Sequence, residues 1–203
     1  MTLQIFDMDQ GGDEWLRARM GIPTSSKFAT VMAKGEGKTR SKYMRQLAGE
    51  IITGEPAESY TNAHMERGKL MEDEARETYA FIHDADIRRV GFIRNGDRGS
   101  SPDSLVGESG GLEIKTALPD IQIERLMLNR LPPEHKAQVQ GNIWIAEREW
   151  WDFVSYWPRL PMLTIRVYRD DAYIKSMSDE IDRFNDELAR LVETIRNYDR
   201  EAA

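Results

Sequence analysis

No cysteine occurs anywhere in the chain, which excludes disulfides and thiolate metal sites. The histidines, His64, His83 and His135, show no metal-ligand spacing, so a zinc centre is not expected. No apolar run approaches the roughly 20 residues of a membrane span. The first residues, from Met1 to Asp7, lack a basic stretch followed by an apolar one. No signal peptide is therefore expected, and the cytoplasm is the expected compartment. There is no Ser/His/Asp arrangement for nucleophilic hydrolysis, no phosphate-binding glycine-rich loop, no internal repeat and no low-complexity segment.

What remains is an ordinary globular composition in 203 residues with a net charge of −7, enough for one domain with a sizeable core. An acidic total argues against a simple nucleic-acid coat. The distribution is more informative. Arg17, Arg19, Lys27, Lys34, Lys38, Arg40, Lys42 and Arg45 face only Glu36 within their stretch, whereas acids outnumber bases after Asp170. Two readings stay open on charge alone: a local phosphate-facing surface on an acidic body, or a solvated helix-and-loop surface.

Periodicity and punctuation predict an extended entry at 4–7, a helix at 14–20 capped by Asp13, a helix after Thr24-Ser25-Ser26 with Phe28, Val31 and Met32 at helical spacing, a flexible basic loop at 35–38, a helix at 41–52, a connection at 53–59 and a long helix at 62–81. Strands are predicted at 90–94, 100–106 and 112–116, with a hairpin turn at 95–99. Pro119 opens a helix to 129, another runs over 134–147, and strands at 150–157 and 162–168 precede a last helix with a regular stripe from Ile174 to Ile195. That stripe is expected to pack on the body, or else to contact a partner subunit. The fold class is α/β, or mixed α+β, with a small sheet in the middle of the sequence flanked by helices. The expected organisation is a single domain over 1–203, made of N-terminal helices at 13–52, a core at 62–168 and a C-terminal helix at 170–200.

One stretch concentrates chemistry. Ser101-Pro102-Asp103 is followed, nine residues on, by Leu112-Glu113-Ile114-Lys115, with Pro102 and the Gly110-Gly111 pair as punctuation, which reads as two short strands joined by a turn. Glu113 and Lys115 share a strand face, while Ile114 points to the other. Two carboxylates, with the Ile114 carbonyl between the side chains as a further donor, suit Mg²⁺. An adjacent ammonium can orient water or stabilise charge. Taken alone, Glu-x-Lys is common as a surface pair. On its own residues, Glu72 belongs to a charged solvent face. His135, Gln138 and Asn142 fall on one helical side, for which an ordinary polar face is the plainer reading.

These stretches, taken in order, resemble the phage lambda exonuclease family, the viral-recombinase branch of the PD-(D/E)xK nucleases. Trp15, Arg19, Gly21, Thr24 and Ser26 match its W-x3-R-x-G-x2-T-x-S motif. Gly68, Glu72, Ala75 and Arg76 match its helical G-x3-E-x2-A-R motif. Ser101-Pro102-Asp103 with Leu112-Glu113-Ile114-Lys115 matches the nuclease core, and Ala137-Gln138-Val139-Gln140 with Trp144 matches the following helix. The resemblance covers about Trp15 to Trp144. It implies a restriction-endonuclease-like core and a Mg²⁺-dependent (alternatively Mn²⁺-dependent) 5′→3′ exonuclease. The substrate would be linear double-stranded DNA, digested to mononucleotides.

It further implies a homotrimeric ring, a single-strand annealing recombinase as partner, and a phage or prophage origin in a bacterial host. By motif, Asp103, Glu113 and the Ile114 carbonyl hold the metal. Lys115 and Glu72 position and activate water, and Gln138 lies beside the site. Arg19, Ser26 and Ser101 take the 5′-phosphate. The family pattern has a further Arg six residues after the core Lys. Ile121 stands there in this chain, and Arg125, one helical turn on, is the candidate to replace it. The alternatives are a PD-(D/E)xK endonuclease and, from another class, a DNA-binding protein that has lost cutting.

Overall fold

The structure is a computed structural model that describes residues 2–33, 37–57 and 63–198, without the side chains of 63–67, 69 and 70. Lys34, Glu36, most of the expected basic loop, the end of the 53–59 connection, the Asn62 helix start and the Met65, Arg67, Lys69 and Leu70 side chains lie outside the described residues.

In chain order the elements begin with β1 (Leu3–Phe6), α1 (Asp13–Arg19), a 3₁₀ turn (Ser25–Lys27), α2 (Phe28–Met32), α3 (Lys38–Thr53) and α4 (Ala63–His83). The strands β2 (Ile87–Arg88), β3 (Phe92–Asn95), β4 (Gly99–Ser100), β5 (Ser104–Val106) and β6 (Gly110–Thr116) follow. Then come α5 (Pro119–Leu128), a 3₁₀ turn (Pro133–His135), α6 (Lys136–Ile145), β7 (Trp150–Tyr156), β8 (Leu163–Tyr168) and α7 (Asp171–Arg196). The strands form two sheets, β1-β3-β4 and β2-β5-β6-β7-β8. This is the mixed α/β class expected from the sequence.

The larger sheet carries the core. Its β6 and β7 run parallel, with Glu113 opposite Phe153 and Lys115 opposite Ser155. A parallel pair needs a long crossover, here supplied by α5 and α6. One face of the sheet (Leu105, Trp151, Phe153) packs with α2, α3, α6 and α7. The other (Leu112, Ile114, Val154, Tyr156) packs on Ala75 and Tyr79 of α4. The α7 stripe is committed to the body through Ile174, Met177, Ile181, Phe184, Leu188 and Val192, all buried. Asp170 caps this helix, accepting from the Tyr173 N–H at 3.0 Å. Ile195, at the end of the predicted stripe, is 48% exposed.

Three local differences from the sequence reading have physical causes. The predicted 100–106 strand is two strands in different sheets, β4 and β5. Pro102 between them has no N–H for a ladder, and Gln10 Nε2 donates to its carbonyl at 2.9 Å, holding the crossing. Gly110 and Gly111 are not turn punctuation but lie inside β6. A Cβ on either would come within 2.2 Å of an indole carbon of Trp150 or Trp151, so the missing side chains admit the two tryptophans. Finally, Asp13 begins α1 rather than capping it; the N-cap is Gly12, without a side-chain bond.

Away from Glu113, Asp152 is 1% exposed. It accepts from Tyr79 OH at 2.7 Å and from Arg166 Nε and Nη2 at 2.9 Å each. Removing the cation leaves a buried carboxylate with one neutral donor. Arg166→Ala is therefore expected to destabilise the fold by about 3 kcal/mol, read as a fall in melting temperature of roughly 6–12 °C. A fall of about a degree would show that the pair behaves as a surface ion pair.

Candidate active site

The end of β6 and the start of β5 bring the predicted core residues together. Asp103 lies one residue before β5, and its Oδ2 accepts from the Ile114 N–H at 2.5 Å. A strand residue presents its N–H and C=O to the same edge, so the Ile114 carbonyl also points to the edge that Asp103 occupies. Glu113 is 2% exposed and heavily bonded. Its Oε1 accepts from Lys115 Nζ at 2.5 Å and from Gln138 Nε2 at 2.6 Å, and its Oε2 from Asn142 Nδ2 at 2.9 Å. Gln138 and Asn142 are one turn apart on α6, so the polar helical side is turned inward to this carboxylate. The plainer reading, a solvated polar face, does not hold for them. His135 belongs to the preceding 3₁₀ turn and stacks on Phe153 with ring centroids 4.9 Å apart.

Glu72 enters from α4. Its Oε1 is taken by Arg76 Nη2, while Arg76 Nε donates to Ser104 Oγ at 3.1 Å and its Nη1 to Asp73 at 2.6 Å. Arg76 is 6% exposed, so it fixes the helix to β5 from inside. Glu72 and Asp103 both open onto a groove of about 750 Å³, with Gln10 and Arg89 also on its wall.

The electrostatics follow from this crowding. Burial, then Glu113 and Glu72, push the Asp103 carboxyl well above the usual carboxylate range, against the opposing pull of Lys115 and the Ile114 N–H. Burial alone would lower the Lys115 ammonium, but Glu113, Asp103 and Glu72 together outweigh it and hold Lys115 above its ordinary value. His135 is pushed down to about 4 by burial and by the positive charges of Lys115 and Arg125. It is therefore a neutral ring at physiological pH.

The residues matched to a 5′-phosphate pocket divide into two groups. Arg19, at the end of α1, stacks its guanidinium 3.8 Å over the Trp15 ring. Burial pushes it below its usual value, with Tyr43 and Glu50 opposing. Trp15 Nε1 donates to Ser101 Oγ at 3.0 Å and to the Gly91 carbonyl at 3.1 Å. One indole thus joins Arg19 to the strand end that carries Asp103. Arg19, Lys27, Thr24, Tyr43 and Glu50 line a cavity of about 180 Å³. Ser26 is exposed at the edge of this region, its Oγ 3.4 Å from Thr24 Oγ1.

Arg125 goes elsewhere. It donates to Ser155 Oγ at 3.1 Å and lies 3.3 Å from His135 Nε2. Among the described residues no hydrogen bond joins it to Arg19, Ser26 or Ser101. Because Ser155 is the register partner of Lys115, Arg125 sits beside β6 rather than in the Arg19 cavity.

Sequence reasoning did not assign three supporting residues. Trp15 was part of a motif, but nothing in its spacing showed that its N–H would reach residue 101. Asn142 had the right helical offset from Gln138, which was its one available signal. Arg76 matched a motif without a role.

A mixed sheet with carboxylates at the start of one strand and the middle of the next, and a lysine two residues on, defines a PD-(D/E)xK-type nuclease fold. Solved structures agree. LHK-Exo, an alkaline exonuclease from Laribacter hongkongensis, is 34% identical and matches with a TM-score of 0.87 over 95% of this chain and 100% of its own. LHK-Exo in complex with dAMP matches over the same shares at 34% identity with a TM-score of 0.88. A phage-related exonuclease from Haemophilus somnus 129PT, at 14% identity and a TM-score of 0.64 over 86% of this chain and 96% of its own, shares the fold. None of the curated proteins compared with the chain matches it.

The family profile of the YqaJ-like viral recombinase domain matches residues 14–149. The chain belongs to that family, and with its alkaline exonuclease relatives it is a nuclease. Among the described residues no helix is long and apolar enough to cross a membrane.

Proposed function

We propose that the chain is a divalent-metal-dependent exonuclease that digests one strand of linear double-stranded DNA in the 5′→3′ direction. The observation that carries the reading is the single bridge through Trp15. It ties Arg19, a half-buried cation in a small cavity, to Ser101, two residues before Asp103. A cation that recognises an end is thereby held at a fixed separation from the residues that cut.

The donor set fits Mg²⁺, or Mn²⁺ in its place. Among the described residues there is no cluster of three His, Cys, Asp or Glu side chains set to hold a metal ion. The set here is instead two carboxylates, Asp103 and Glu113, with the Ile114 carbonyl at the same edge, which leaves coordination positions for water. Asp103 Oδ1 takes no hydrogen bond from any described residue, while Oδ2 is held by the Ile114 N–H; burial, then Glu113 and Glu72, raise this carboxyl despite Lys115. When bound, the metal supplies charge neutralisation at the scissile phosphate and a more acidic water.

The chain's own residues do the rest. Lys115, held as an ammonium, donates to the attacking water and offsets the charge developing on the phosphoryl oxygens. Glu72 lines the same groove with its Oε1 held by Arg76, which leaves Oε2 to accept from that water. Gln138 fixes the Glu113 rotamer. Arg19, with Ser101 and Ser26, takes the terminal phosphate, so that cleavage falls one nucleotide from the end and releases mononucleotides. The family resemblance further supports a homotrimeric ring around the duplex and a single-strand annealing partner for the 3′ strand that remains.

The direct test is digestion of end-labelled linear duplex with Mg²⁺, comparing 5′-phosphate with 5′-hydroxyl ends and including covalently closed circles. Mononucleotide release from 5′ ends with circles spared is expected; cutting of circles would make the protein an endonuclease. Arg19→Ala is expected to shrink the advantage of 5′-phosphorylated ends by about tenfold, as for the loss of a charged hydrogen bond. An unchanged ratio would remove Arg19 from the pocket.

A further inference from the structure

A line of buried polar side chains runs from Glu113 to the turn that carries Ser26. Asn142 Nδ2 donates to Glu113 Oε2 at 2.9 Å. Ser100 Oγ donates to Asn142 Oδ1 at 2.7 Å, and Ser25 Oγ donates to Ser100 Oγ at 3.3 Å. All four are nearly inaccessible: Glu113 2%, Asn142 1%, Ser100 0% and Ser25 2%. They come from four different elements, β6, α6, β4 and the 3₁₀ turn after α1.

The polarity of this line is fixed at one end. A carboxylate only accepts, so Asn142 must turn its amide N–H₂ to Glu113 and its carbonyl to Ser100. That carbonyl requires the Ser100 proton, which leaves Ser100 Oγ to accept from Ser25. Each donor thus points toward Glu113, the arrangement in which successive hydrogen bonds reinforce one another in a low-dielectric interior.

The packing around the line is equally committed. Gly141 lies against the turn, and a Cβ there would come within 2.6 Å of the Phe28 ring and 3.1 Å of Ser25 Cβ. Thr24 forms a parallel bridge with Gly99, and the Gly99 N–H donates to the Pro23 carbonyl at 3.0 Å. Ser25 therefore faces inward on a turn whose next residue, Ser26, faces out. A shift of this turn on binding an anion would be transmitted to Ser100 by both backbone and side chain.

We infer that Ser25, Ser100 and Asn142 are positioning residues that couple occupancy of the 5′-end pocket to the orientation of Glu113, so that a terminal phosphate raises turnover as well as binding. This rests on the reading of Arg19, Ser26 and Ser101 as the phosphate pocket. Selectivity for a phosphorylated end then has two separable parts: affinity, from the pocket, and turnover, from the relay.

Ser100→Ala cuts the line at its centre with the loss of one oxygen. Steady-state digestion of duplexes with 5′-phosphate and 5′-hydroxyl ends gives kcat and KM for each, and binding of both duplexes is measured with the metal chelated. For Ser100→Ala, the ratio of kcat between the two ends is expected to fall about fivefold, as for one buried hydrogen bond. The affinity ratio should stay within about twofold of wild type. A structural role alone would lower kcat on both ends alike, and that result, or an unchanged kcat ratio, overturns the relay. Ser25→Ala cuts the outer link and keeps the test open should Ser100→Ala misfold; it is expected to shift the same ratio in the same direction. If wild type digests linear DNA without regard to the 5′ group, the pocket reading fails and the relay fails with it. If wild type favours phosphorylated ends and both variants keep the wild-type kcat ratio, the relay alone is overturned.

Discussion

An Asp103→Asn protein should lose cleavage of linear duplex by about 10³-fold and, freed of metal, should melt at a higher temperature than wild type at alkaline pH. The two results have one cause. Asp103 is half-buried on the groove wall beside Glu113 and Glu72, and its carboxyl is raised well above the ordinary range. The folded chain therefore holds that proton more tightly than the unfolded chain does. The resulting stabilisation is complete below the unfolded carboxylate pKa and is lost as pH rises through the raised value. Asn cannot ionise, so the substitution removes that loss while its carbonyl can still accept from the Ile114 N–H. A divalent cation does for wild type what the proton does at low pH. The rise in melting temperature on adding Mg²⁺ should therefore grow from mildly acid to alkaline pH in wild type and be nearly absent in Asp103→Asn. Thermal melts across that range, with and without Mg²⁺ after chelation, provide the check. A variant that melts below wild type at alkaline pH would mean that Asp103 is structural rather than a site held in readiness for a cation.

That Asp103, Glu113 and Lys115 would meet was legible because the operative distances are local. A period of two places Glu113 and Lys115 on one face, and a short antiparallel pairing of β5 with β6 brings Asp103 alongside. Gln138 and Asn142 were legible as a helical face but not as to what that face meets. Their target lies across a parallel β6–β7 crossover, and no sequence period reports which face of a sheet a crossover helix covers. Trp15 and Ser101 are 86 residues apart, and a single indole N–H leaves no pattern at that range. The same holds for β2 and β4, each of two residues, too short to show alternation. Gly110 and Gly111 misled for a different reason. A glycine pair signals a turn by its backbone freedom, but here it answers the bulk of Trp150 and Trp151 from a neighbouring strand. Arg125 was placed near the site by its helical offset from Ile121, yet Ser155 and His135 hold its guanidinium, which spacing along α5 could not reveal.

Lys115→Ala should be the mirror image of Asp103→Asn in stability while matching it in activity. Lys115 Nζ lies 2.5 Å from Glu113 and is drawn further by Asp103 and Glu72, which together hold it above the usual lysine value despite burial. Its contribution is thus fully present at neutral pH and is lost only as pH rises through that elevated value. Deleting it leaves Glu113, 2% exposed, with amide donors and two acidic neighbours. With the Lys115 side chain 31% exposed, the cost should fall somewhat below that of a fully buried pair, at about 2 kcal/mol, or roughly 4–8 °C in melting temperature. Mg²⁺ should restore most of that stability, because a cation again faces the carboxylates. It should not restore cleavage, because the ammonium that orients water is gone. The decisive comparison is the double variant. If one charge balance governs both residues, removing Asp103 as well relieves the repulsion that Lys115→Ala exposes, and the pair of substitutions is less destabilising than the sum of the two single effects, by about 1 kcal/mol. Effects that add to within about 0.5 kcal/mol would show that the two residues do not share a field, and the account of the site as a carboxylate cluster balanced by one lysine would fall.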